Sequence, residues 1–217
     1  DYINFISNGK VQERIALNEV GEQDVALINK FPEIKLPNKL FRNNGNLAFD
    51  DIKDQIAGDK ATFSNGAVYA DFDNDGDQDL FIGGRSVLHQ YGLTPVSYIL
   101  VNDGKGHFTD MAHETNPDIA SVGMVTDAVW VDIAGDSNEE LVITGEWMAP
   151  RIFSFNGKKF TEIKSNLETM QGWWQTISAA DLNGDGKKDL VLGNIGENFY
   201  LRPDKSNPVK LWINDFN

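Results

Sequence analysis

DFDNDGDQD, residues Asp71–Asp79, sets five aspartates at alternating positions around a single glycine, Gly76. Such a stretch offers little to a hydrophobic core. Its carboxylates, held a few ångström apart, repel one another unless something positive sits among them. A hard divalent cation that takes about six to eight oxygens meets that need, and calcium fits best. Asp71, Asp73, Asp75 and Asp79 would offer side-chain oxygens and Asp77 its backbone carbonyl, while Gly76 permits the positive φ that lets the chain wrap an ion.

The same spacing returns twice. In DLNGDGKKD, Asp181–Asp189, the side-chain donors would be Asp181, Asn183, Asp185 and Asp189, Lys187 would give its carbonyl, and Gly186 is the turn. In DIAGDSNEE, Asp132–Glu140, the pattern is weaker. Asp132, Asp136, Asn138 and Glu140 remain as candidate ligands, but Ala134 has no donor atom and Ser137 stands where the glycine was. An EF-hand would need a glutamate at position 12 and a helix on each side. Position 12 is Ile82 in the first loop and Leu192 in the third, and the flanks AVYA and LFIGG are strand-like, so neither an EF-hand nor a dockerin fits. The competing reading of each loop is a metal-free Asx turn, which weighs most at Asp132.

Outward from the loops, a larger period shows. LFRNNGNLAF, ILVNDGKGHF and IFSFNGKKF each carry Asn-Gly or Asp-Gly at the turn (Asn44-Gly45, Asp103-Gly104, Asn156-Gly157). That dipeptide between apolar runs is a strong hairpin signal. The aromatics closing these hairpins, Phe49, Phe108 and Phe160, stand 22, 24 and 21 residues before Asp71, Asp132 and Asp181. The unit therefore recurs about every 50–60 residues with about four short strands, too little to bury both faces alone. Four-stranded sheets repeated radially make a β-propeller, which needs about four blades to close. The fold class is thus all-β, a propeller with about three to four blades in residues 40–217. The remaining blades are expected in a longer parent.

Residues 1–39 are the least legible and could belong to a preceding blade. Val25, Ile28 and Phe31 have helical spacing that Pro32 would end. Residues Leu211–Asn217 read as a strand entering a further loop, with Asp215 and Asn217 at its first and third positions, so the chain is expected to be part of a longer protein. Arg85–Pro95, RSVLHQYGLTP, reads as a long surface loop carrying His89 and Tyr91.

Composition narrows the classes of function. Nineteen basic against 33 acidic residues give a net charge of −14. That disfavours nucleic acid and anionic membrane surfaces, both of which are recognised through Lys and Arg. With 41% apolar residues the chain has enough to fold, yet it has no run long enough to span a membrane. There is no cysteine, hence no disulfide. No nucleophile elbow, phosphate-cradling loop or His-Glu-x-x-His occurs, and His89, His107 and His113 are scattered, His107 reading as a surface turn residue. Carboxylate pairs for glycoside hydrolysis are available, but the acidic loops already account for most of the clustered acids. Trp130, Trp147 and Trp212 are spread over the units, and large indoles usually pack. The Trp173-Trp174 pair cannot send both rings to one face of a strand, so one of them, with Tyr91, is a candidate to stack on a sugar or a partner side chain.

The stretches SNGAVYADFDNDGDQDLFIGG, VGMVTDAVWVD and GWWQTISAADLNGDGKKDLVLGN resemble the FG-GAP/VCBS repeats of integrin-α-like β-propellers. They are most similar to secreted VCBS-repeat proteins of Bacteroidetes type. The resemblance covers residues from about Leu40 onward. It implies structural Ca2+ in the loops, a seven-bladed ring, and an extracellular, cell-surface or periplasmic location. The Phe-Gly and Gly-Ala-Pro signatures of integrin repeats are absent, with Gly83-Gly84-Arg85 and Gly193-Asn194-Ile195 at the place of the latter. Integrin-type ligand binding is therefore not carried over. The expected role is a calcium-stabilised scaffold for protein or glycan recognition. The alternative is the propeller scaffold of a polysaccharide-degrading enzyme.

Overall fold

The computed structural model describes residues 39–52, 55–57, 63–87, 90–196, 206 and 208–212. The chain divides into two compact units, Asp1–Leu36 and Pro37–Asn217, and all the described residues belong to the second. The helical spacing at Val25–Phe31, His89, and the loop expected at Asp215 and Asn217 lie outside the described residues.

The described chain is all-β and built of propeller-type blades. One complete blade is the antiparallel meander β4 (Phe63–Ala70), β5 (Asp79–Ser86), β6 (Tyr98–Asn102) and β7 (Phe108–Asp110). A second is β8 (Met124–Val131), β9 (Glu140–Met148), β10 (Arg151–Phe155) and β11 (Phe160–Ile163). Half of a third follows as β12 (Gly172–Ala180) paired with β13 (Asp189–Asn194). Ahead of them stands the hairpin β1 (Phe41–Asn43) and β2 (Phe49–Asp51), and β3 (Ile56–Ala57) adds to the outer edge of β7 in parallel.

Two features depart from the reading of the sequence. The three repeats are laid out as two full sheets with a half at each end. In each sheet the acidic-loop pair joins the hairpin that follows it, so the first Asn-Gly hairpin belongs to no described four-stranded sheet. The segment after β7 also forms two short helices, α1 (Ala112–Thr115) and α2 (Pro117–Ala120), that had not been anticipated. Asn116 caps α2 by accepting the Asp118 N–H at 2.8 Å, with Pro117 at the first helical position. Ala112, Ile119 and Ala120 are buried in the same core as the strands.

Apolar patterning tracks position in the stack. In β4 every other residue is exposed, whereas β9 is buried from Glu140 to Glu146, as a strand covered on both faces requires. The main core lies between the first and second blades. It gathers Phe72, Phe81, Ile99, Val125, Trp130 and Phe153 around contacts such as the Phe72–Trp130 stack, 5.5 Å between centroids. Close approach there depends on Gly83, where a Cβ would lie 2.4 Å from Val125 Cγ1. Polar ties cross the second boundary: Asp127 Oδ2 accepts Thr176 Oγ1–H at 2.9 Å and Ile177 N–H at 3.0 Å, and Thr126 Oγ1 donates to the Trp174 carbonyl. The first two residues of β12 also pair with the end of β9.

Candidate metal centre

Each acidic loop joins the first two strands of a blade, so all three sit at corresponding sheet ends. One ligand pattern nonetheless gives three arrangements.

In the first loop, one carboxylate oxygen from each of Asp71, Asp73 and Asp75 lies within 4.8 Å of the others, the only such triad among the described residues. Gly76, at φ +99°, turns the chain so that its N–H reaches Asp71 Oδ2 at 3.1 Å. Three carboxylate oxygens are buried with no hydrogen-bond partner: Asp71 Oδ1, Asp77 Oδ1 and Asp79 Oδ2. Asp79 is 1% exposed, and its other oxygen accepts the Asn102 N–H at 2.9 Å. Burial first, then repulsion from Asp73, Asp77 and Asp75, pushes its carboxyl up to about 7. Asp73 and Asp77 are likewise raised, chiefly by desolvation and then by neighbouring aspartates. A buried carboxylate oxygen without a partner is costly, so a cation among these oxygens would be stabilising. The donor set is hard oxygen, which suits calcium. Asp77 was expected to serve through its carbonyl; its side chain is also drawn into the loop. An open, largely polar cleft of about 480 Å3, lined by Asp71, Asn74, Gln78 and Asn138, borders the loop on the side toward the second acidic loop.

In the first loop Asp73 Oδ1 also accepts the Asp75 N–H at 3.3 Å and Asp75 Oδ1 the Asp77 N–H at 3.1 Å. The other two loops turn more backbone donors onto their leading carboxylates. Asp132 Oδ1 accepts the N–H groups of Gly135 and Asp136, and its Oδ2 that of Ser137. Glu140, 1% exposed, accepts those of Ile133 and Ala134 at 3.0 and 3.1 Å. Asn138 donates to Asp136. In the third loop Asp181 takes the N–H groups of Gly184, Asp185 and Gly186, which hold its carboxyl below the usual range. Asp189 takes that of Leu182, Asn183 donates to Asp185, and Asp185 accepts the Lys187 N–H at 2.9 Å. These are Asx turns closed by backbone donors. The structure gathers metal-ready oxygens in the first loop and does not gather them in the third in the same way.

Sequence reasoning missed what braces the first loop. Asn102 and Asp103, in the β6–β7 hairpin, lie against it: Asn102 bonds Asp79 and the Gln78 carbonyl, and Asp103 adds to the charge around Asp77. Phe72, the loop's second residue, is buried between Trp130, Phe155 and Phe160 of the next blade. Alternation along the loop was the available signal, since the one aromatic among the aspartates has to point elsewhere.

The aromatic candidates differ in exposure. Trp174 is buried, donating Nε1–H to the Met170 carbonyl. Trp173 is half-buried, with its ring against that of Trp147, centroids 5.3 Å apart. Tyr91 is 51% exposed. Trp130 is core, Trp212 exposed, and His107 is an exposed turn residue beside Asp103.

Two comparisons bear on this arrangement. The FG-GAP-like repeat family matches residues 17–82 and 132–192, together more than half of the chain, and the matches take in all three acidic loops. No curated protein matches the chain.

Proposed function

The chain belongs to the FG-GAP-like repeat family, and from that premise we propose that it is a calcium-stabilised binding scaffold, extracellular or periplasmic, presenting a rigid propeller surface to a protein or glycan. Modules of this family are typically extracellular and non-catalytic. No helix among the described residues is long and apolar enough to cross a membrane. The observation that carries the reading is the first loop, with its gathered Asp71, Asp73 and Asp75 and three buried oxygens that lack a proton donor. There Asp71, Asp73, Asp75, Asp77 and Asp79 would hold Ca2+, which would supply charge compensation rather than chemistry. Asp181, Asn183, Asp185, Lys187 and Asp189 would form a second, weaker site, because their self-bonded turn must open to release oxygens. The Asp132 loop stays metal-free. Further blades of a longer parent would cover the exposed faces at either end.

Isothermal titration of chelator-stripped protein with CaCl2 tests this. One site of Kd about 10⁻⁴ M or tighter is expected at the first loop, within or beyond the range of extracellular calcium modules. Absence of any calcium heat, with the protein folded, would refute the reading.

A further inference from the structure

The sheet ends remote from the acidic loops hold a second constellation that calcium does not explain. Glu146, 4% exposed, is bonded from three sides: Arg85 Nη2 at 2.5 Å, Tyr91 Oη at 2.6 Å and Gln175 Nε2 at 3.2 Å. Arg85 and Glu146 occupy the same repeat position, six residues after Asp79 and Glu140, so the ion pair joins equivalent points of successive blades. Trp147 Nε1 donates to Tyr91 Oη at 2.9 Å, and the Trp147 ring lies on Trp173 at an interplanar angle of 31°.

Trp147 is the odd residue. Its φ is +61°, a left-handed conformation that a bulky side chain rarely adopts. The equivalent residue of the third half-blade is Gly196, at φ +49°. The backbone there suits glycine, so the indole is held against backbone preference. Strain of this kind collects at ligand sites.

We propose that Tyr91 and Trp147, backed by Trp173 and with Arg85 and Gln175 at their edge, form a saccharide-binding site. The proposal rests on the reading of the chain as a binding module and names its ligand class. Flat aromatic faces braced by fixed polar groups suit a pyranose ring, which stacks through its C–H face and hydrogen-bonds through its hydroxyls. Glu146 neutralises Arg85, so the platform carries no local excess charge, and the overall charge of −14 opposes polyanions. Among the described residues Glu146 is the only hydrogen-bond partner of the Arg85 guanidinium, which leaves further N–H donors for sugar hydroxyls.

The test uses the full chain with calcium. A panel of soluble neutral and uronate-containing oligosaccharides is screened by tryptophan fluorescence, and the best is measured calorimetrically. Wild type is expected to bind with a change in emission, and Trp147→Gly and Tyr91→Ala are each expected to lose at least about tenfold in affinity. Because glycine relieves φ, the Trp147→Gly protein should melt within a few degrees of wild type. If wild type binds no oligosaccharide, or both variants bind undiminished, the site is overturned. So it is if Trp147→Gly melts far lower while Tyr91→Ala binds normally, the signature of a packing role. These failures are separable from failure of the calcium-scaffold reading, which would show as a melt indifferent to calcium.

Discussion

At the scale of the residue, three copies of one pattern differ in where their carboxylates find partners. Asp132 and Asp181 each accept three backbone N–H groups, whereas Asp71 accepts one and keeps a buried oxygen bare. Asp75→Ala should therefore weaken calcium binding at least about tenfold by calorimetry, roughly 1.4 kcal/mol, while Asp136→Ala leaves it unchanged; equal losses would show that the middle loop shares the ion. A second carboxylate behaves in the opposite way. Arg151 and then Lys164 bond Glu162 and hold its carboxyl below 4.5. A depressed folded value adds stability that is present above the unfolded value and lost as pH falls through the folded one. Glu162→Gln should cost about 0.5–1 kcal/mol in urea melts at pH 7 and less at about pH 3. An equal deficit at both pH values would mean that packing, not charge, is at stake.

At the scale of the element, the strands and hairpins were largely legible, because apolar runs broken by Asn-Gly and by acidic loops have no other economical reading. The phase of the repeat was not. Sequence alone cannot say whether a hairpin joins the strands before or after it, since both orders bury alternate residues equally well. The helices α1 and α2 were missed because four-residue helices carry no period; only Asn116-Pro117 marked them. Which loop would gather oxygens was also illegible, for it turns on backbone N–H directions that ligand spacing does not encode. The loops are also tied to packing. Phe72 plugs the first loop into the next blade, but its counterpart Leu182 is 65% exposed. Phe72→Ala should destabilise by about 3–5 kcal/mol and weaken calcium binding as well, whereas Leu182→Ala should stay within about 0.5 kcal/mol by thermal melt. Gly83→Ala, forced onto Val125, should cost about 1–3 kcal/mol through overpacking between blades. A neutral Gly83→Ala would mean that the two sheets adjust freely.

At the scale of the whole molecule, two complete blades and a half are joined by a shared aromatic core, by Asp127, and by the Arg85–Glu146 pair. A cation in the first loop would neutralise the most crowded acids of a chain whose net charge is −14 and steady the turn that carries Phe72. Free calcium at about 100 times Kd adds about 2.7 kcal/mol for one site. For a chain of this size that corresponds to a rise of about 5–10 °C in Tm. The measurement is a thermal melt of the intact chain in excess calcium and in excess chelator, run beside Asp75→Ala. Wild type should gain about 5–10 °C with calcium and the variant little or none. A wild-type Tm that is the same in calcium and in chelator would contradict a structural metal in the first loop.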